Sequence, residues 1–169
     1  MIPTFTKAKF WKCALQVNPS NYISYRGKQQ GLTEDKYNQK LLEVCLEENI
    51  KVVGLADHGN VGSVNKIRAL MSKHGIVVFP GFEIASSEKV HLVCLFHEDE
   101  TVKNLEHYLY ELNIDPNQGT LPSPHSADYI LNKVRDKGGF IYAAHCTDDN
   151  GVLKQKLNNI WKNELLVAA

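Results

Sequence analysis

Paired cysteines, surplus charge of either sign, long apolar runs and a phosphate loop are all missing from this sequence. Its four cysteines, Cys13, Cys45, Cys94 and Cys146, lie far apart with no C-x-x-C pair, which argues against a disulfide framework. Three of them sit within apolar runs, where reduced cysteine behaves as a small hydrophobe, so a reducing cytoplasm is expected. Lys plus Arg equals Asp plus Glu at 19 each, so bulk charge supplies no long-range attraction for nucleic acid or an anionic membrane. No stretch approaches the roughly 20 apolar residues that span a bilayer, and MIPTFTKAKFWK lacks the apolar run of a signal peptide. The pattern G-x-x-x-x-G-K-[ST] is absent, which removes the commonest ATPase signature.

What is present is 169 residues with 43% hydrophobic content, enough for one core. Short strand-like runs alternate with helical periods, the mark of βα units building a largely parallel sheet. The strand candidates are KFWKCALQV from Lys9, KVVGLA from Lys51, IVVFP from Ile76, KVHLVCLF from Lys89, GFIYAAH from Gly139 and ELLVAA from Glu164. Helical faces are predicted for Tyr37, Leu41, Val44 and Cys45; for Val64, Ile67, Leu70 and Met71; and for Val102, Leu105, Leu109 and Leu112. A fourth face joins Ala127, Ile130, Leu131 and Val134 and stops at Gly138, and a fifth joins Leu153, Leu157, Ile160 and Trp161. Long polar connections are expected from Asn18 to Leu32 and from Asn113 to Pro124. The sequence ends on an apolar run, so the expectation is a barrel cut short, its open edge covered by further chain, a partner protein or a second copy.

Asp57 and His58 follow the buried strand KVVGLA, at the strand end where barrel active sites are built. Glu83 stands between Phe82 and Ile84, and a carboxylate in such company needs a partner. His91 interrupts the run around HLVCLF, and His145 closes GFIYAAH. Singly, each has an ordinary explanation as a helix cap, an ion-pair partner or a core histidine bonded to backbone. Together, four nitrogen and oxygen donors on successive strands point to a divalent metal: zinc, manganese or iron. Such an ion lowers the pKa of bound water and holds a phosphate ester. Asp148 and Asp149 could add oxygen ligands, though solvated loop residues is the simpler reading. Tyr22, Tyr25, Arg26 and Lys28 form a segment able to contact phosphate or stack on a base, with Arg26 the candidate substrate contact; a plain surface loop is the competing reading.

The run VVGLADHGNV resembles the TDH motif of the polymerase and histidinol phosphatase (PHP) family, GFEI its G-x-E motif, VHLVCLF its H-I-L strand and YAAHC its AHP motif. The resemblance implies an α/β fold, an incomplete or distorted (β/α)7 TIM-like barrel, spanning residues 1–169. It also implies a cluster of metal ions that hydrolyses phosphoesters of nucleotides, nucleic acids or small molecules. By the same resemblance His58, Glu83, His91 and His145 are the ligands, and Asp57 and His58 the catalytic pair, with Asp57 orienting a ligand. The opening W-K-C-A-L-Q further resembles PHP modules at the front of long bacterial proteins that continue into an ATPase region.

Two departures stand out. Where the family reads D-x-H-x-H this sequence has Ala14-Leu15-Gln16-Val17-Asn18, so Asn18 offers at most a weak neutral oxygen ligand. The family's last D-x-H motif is absent. The expectation is therefore a partly eroded site with a single ion or none. It serves either a metal-dependent phosphoesterase or a catalytically inactive module, structural or regulatory, of a larger protein or complex.

Overall fold

The computed structural model describes residues 10–22 and 31–168. The six apolar runs become the strands β1 (Lys12–Val17), β2 (Ile50–His58), β3 (Val77–Ala85), β4 (His91–Leu95), β5 (Phe140–Ala143) and β6 (Leu166–Ala168). They form one sheet in sequence order, β1-β2-β3-β4-β5-β6, so among the described residues β1 and β6 are its edges. The helices are α1 (Glu34–Glu47), α2 (Val64–Ser72), α3 (Val102–Glu111), α4 (Ala127–Asp136) and the single turn α5 (Asn158–Trp161).

The sheet is mixed, which corrects the expected parallel pattern. Strands β1, β2 and β3 are parallel, as are β5 and β6, but β4 runs against both β3 and β5. The cause is connector length. Only Ser86 to Val90 separate β3 from β4, a span that permits a hairpin and not a crossover, which takes a dozen or more residues. Within the hairpin Ser86 N–H donates to Val90 O at 2.9 Å.

Alternation along each strand divides the sheet into two faces. The outward residues, among them Val53, Leu55, Phe82, Ile84, Leu92, Cys94 and Ile141, pack with the helices into the main core. The inward residues Ala56, Val93, Leu95 and Ala144, with Phe79, Phe140 and Tyr142, form a smaller second cluster. Tyr142 on β5 donates its hydroxyl to Leu15 O on β1 at 2.7 Å. Four strand spacings of about 4.8 Å separate those strands in a flat sheet, so one side-chain bond can join them only because the sheet curls into a half-barrel. Gly81 makes room on the concave side: a Cβ there would lie 2.0 Å from Cys94 O and 2.8 Å from Leu95 Cδ2.

Helices α1, α3 and α4 start at Thr33, Thr101 and Ser126, whose side chains accept from Lys36, Asn104 and Tyr129 N–H. Helix α4 buries Ala127, Ile130, Leu131 and Val134, as the periodicity implies, and the chain turns at Gly138, φ +75°. Two helical readings are corrected. Helix α1 buries Asn38, Leu42 and Cys45, leaving Val44 exposed, because a polar residue holds part of its inner face. The fifth helical face is mostly not a helix. Residues 152–156 form turns, and Ile160 and Val152 are buried while Leu153 and Trp161 stay exposed.

Candidate metal centre

The parallel strands β2 and β3 bring His58 and Glu83 directly opposite one another at their carboxyl ends. His91 reaches the same end from the other direction. Because β4 is reversed, its first residue lies beside the last of β3, with His91 paired to Ala85. Glu83 is two residues back along β3 and therefore on the same face as Ala85. His145 stands just beyond β5, in a left-handed conformation with φ 51°.

These side chains meet. His91 Nδ1 lies 2.8 Å from Glu83 Oε1 and His145 Nε2 3.4 Å from the same oxygen. One donor atom each from His58, Glu83 and His91 falls within 4.8 Å of the others. The His58 and His91 rings meet edge to face at 5.5 Å, and His91 and His145 at 5.9 Å. Glu83 is buried, at 1% exposure. Its burial pushes the carboxyl pKa up, but the His91 hydrogen bond, the His58 and His91 charges and the Gln16 amide outweigh that and hold it below its ordinary value. For His58, burial is the largest influence and lowers its pKa, helped by His91 and His145 and opposed by the Glu83 charge. An imidazole kept neutral beside an ionised carboxylate is the form a cation requires.

The main chain around the donors is closely tied. Gly59 N–H donates to Glu83 O at 3.0 Å, and His58 N–H donates to Asp57 Oδ1 at 2.8 Å. Asp57 is buried and faces away from the cluster's side of β2, so it fixes the turn after the strand. His91 N–H donates to Asn150 O at 3.1 Å and Asp148 N–H to His145 O at 2.8 Å, which seats the 145–151 loop on the cluster. Gly151 closes that loop. A Cβ there would lie 2.1 Å from His145 O. Above the cluster opens a cleft of about 640 Å³, lined by Tyr22, three histidines (His58, His91 and His145) and residues 147–150. Tyr22 stacks on His58 at 5.2 Å and 23°. Asp148 and Asp149 form part of the cleft wall. Tyr25, Arg26 and Lys28 lie outside the described residues.

The sequence expectation made Gln16 a lost ligand and Asn18 at most a weak neutral one. In the structure Gln16 is engaged: its Nε2 donates to Glu83 Oε2 at 2.9 Å. Asn18 Oδ1 is buried with no hydrogen-bond partner among the described residues. Gln16 reaches the concave side past a register shift between Ala14 and Val17, an irregularity that a period-two reading of β1 does not reveal. The donor set fits a divalent cation: two imidazoles and a carboxylate within reach of each other and a third imidazole beside them.

No family model matches the chain, and no curated protein matches it in sequence. Among solved structures it is similar to the lesion-specific endonuclease PfuEndoQ from Pyrococcus furiosus, with a TM-score of 0.61 and 15% identity over 85% of this chain. The match spans 37% of the endonuclease, little more than a third of its length. A protein from Bifidobacterium adolescentis assigned as a metal-dependent phosphoesterase gives a TM-score of 0.58 at 12% identity, covering 94% of this chain and 75% of that one. At these identities what is shared is the fold, an α/β scaffold with a curled mixed sheet.

Proposed function

We propose that this chain is a PHP-type domain, residues 1–169, with a metal-dependent phosphoesterase centre reduced to one divalent cation. The observation that carries this reading is the convergence of His58, Glu83 and His91 donors within 4.8 Å at the floor of an open cleft. Those three residues hold the ion, with His145 beside Glu83 and Asn18 a weak neutral oxygen. A cation bound there supplies Lewis acidity toward a phosphoryl oxygen and acidifies water. The chain's own residues do the rest. Gln16 and His91 fix the two oxygens of the buried carboxylate, Asp57 fixes the turn that carries His58, and Tyr22 covers the outer face of that imidazole. The substrate in this reading is a phosphate ester of a nucleotide, nucleic acid or small molecule. Both solved neighbours, an endonuclease and an assigned phosphoesterase, support that class.

The architecture belongs to the same reading: a distorted (β/α)7 barrel of which these six strands form part. Further chain, a partner protein or a second copy covers the edge at β6, where Val167 is 61% exposed. A second reading, a catalytically inactive module of a larger protein, is favoured by Gln16, which places a neutral amide where an added imidazole would strengthen the centre.

Manganese or zinc content of protein purified without chelator, measured beside hydrolysis of bis(p-nitrophenyl) phosphate, tests the proposal. One ion per chain with slow, chelator-sensitive turnover is expected. Bound metal without turnover selects the inactive module, and no metal binding at all rejects the centre.

A further inference from the structure

Resting on the single-ion reading above, we infer that Gln16 is a positioning residue that takes the place of a second cation: its amide N–H holds the outer oxygen of Glu83 and confines the centre to one ion. The two oxygens of that carboxylate are divided. Oε1 faces the imidazoles of His91 and His145 at 2.8 and 3.4 Å, while Oε2 receives Gln16 Nε2 at 2.9 Å. A carboxylate 1% exposed needs compensation on both sides. The imidazole side can hand its oxygen to a cation; the β1 side is compensated by a neutral donor. The amide has one admissible orientation, since its reverse sets a carbonyl oxygen against a carboxylate oxygen. An amide nitrogen is no metal ligand, and its N–H occupies the lone pair of Oε2 that faces β1, so a cation approaching from that side has to displace it.

The main chain around Gln16 is pinned on both sides. Tyr142 on β5 donates its hydroxyl to Leu15 O at 2.7 Å, and Tyr37 on α1 donates its hydroxyl to Asn18 O at 2.9 Å. Two phenols from different elements thus bracket Gln16. The hydrogen bond to Glu83 is therefore held by the fold and is not the chance contact of a free side chain.

The test is calorimetric titration of Mn²⁺ into the metal-stripped full chain, with ion count by native mass spectrometry, for wild type, Gln16→Glu and Gln16→Met. Wild type is expected to take one ion. Gln16→Glu sets two carboxylates together, so it should take two ions and show a lowered melting temperature that Mn²⁺ restores. Gln16→Met has the same reach without the N–H and frees Oε2. Its affinity for the first ion should rise about tenfold, the worth of one hydrogen bond to a charged group. A merely structural glutamine predicts the opposite sign, a weaker ion in Gln16→Met, and that result overturns the inference. So does a second ion in the wild type, or a folded Gln16→Glu with one ion at unchanged affinity. Should Gln16→Glu fail to fold, the direction of change in Gln16→Met decides alone. Wild type that binds no ion rejects the metal centre itself, a failure distinct from these.

Discussion

His91 Nδ1 and Glu83 Oε1 lie 2.8 Å apart although their strands run in opposite directions. The pairing joins a strand's first residue to a carboxylate near the other's end, and the contact depends on the short hairpin between them.

Removing either member should therefore dismantle the centre. His91→Ala and Glu83→Gln are each expected to weaken Mn²⁺ binding by roughly 100-fold, at least the upper end of what losing a more distant partner costs. Circular dichroism of the metal-free variants should remain that of the wild type. Isothermal titration beside the spectra is the check, and unchanged affinity in both variants removes this pair from the site.

Restoring imidazoles on β1 should strengthen the centre. Gln16→His with Asn18→His adds two nitrogen donors at the end of β1, one of them at the position whose side chain already reaches Glu83. Zinc or manganese affinity is expected to rise at least tenfold over the wild type, whose own ester hydrolysis is expected to be slight. Metal content and p-nitrophenyl ester turnover, measured side by side, report both; an unaltered metal content contradicts the placement of these residues.

Gly81→Ala should separate Glu83 from His91 without touching either. Its Cβ would meet Cys94 O at 2.0 Å across the antiparallel pair. The expected loss is roughly 3 kcal/mol by urea denaturation, the upper range of overpacking costs, with metal affinity falling in parallel. A variant as stable as the wild type refutes the close approach of β3 and β4.

Glu88 tests the hairpin's link to α4. Its carboxylate accepts Ala127 N–H at 3.0 Å, at the start of the helix. Burial pushes its pKa up, but hydrogen bonds from Ser86, its own backbone, Ala127 and Ser87 outweigh that and hold it below the ordinary 4.5. A carboxylate depressed on folding contributes stability above its unfolded pKa and loses it as pH falls through the folded value. Glu88→Ala should cost about 1 kcal/mol at neutral pH, the size of a cap, and nothing measurable at pH values well below 4.5. Denaturation curves at both pH values decide this, and a pH-independent difference excludes the charge.

All six strands were legible because short apolar runs bounded by turn residues survive any tertiary context. The direction of β4 was not, since an apolar run reads the same both ways. The overlooked signal was the gap between IVVFP and KVHLVCLF, residues 81–88, too short for a crossover. Asn38 hid the inner face of α1, because a buried amide breaks the hydrophobic period that sequence reading follows. At the site, His58, Glu83, His91 and His145 stood out as polar residues among apolar ones. Gln16 did not, because its N–H matters only beside Glu83, 67 residues away.

That separation orders the assembly of the centre in time. Glu83 and His91 are eight residues apart and joined by a hairpin, so their contact costs little loop-closure entropy and belongs to the early, local part of folding. Gln16 can reach Glu83 only after a chain of 67 residues has been gathered in, and Tyr142 can reach Leu15 only across 127. The half of the centre built on the hairpin is thus expected to form first, and the amide that closes it to arrive with the completed sheet. Loosening of the β1 edge would undo the late half while leaving the early half standing.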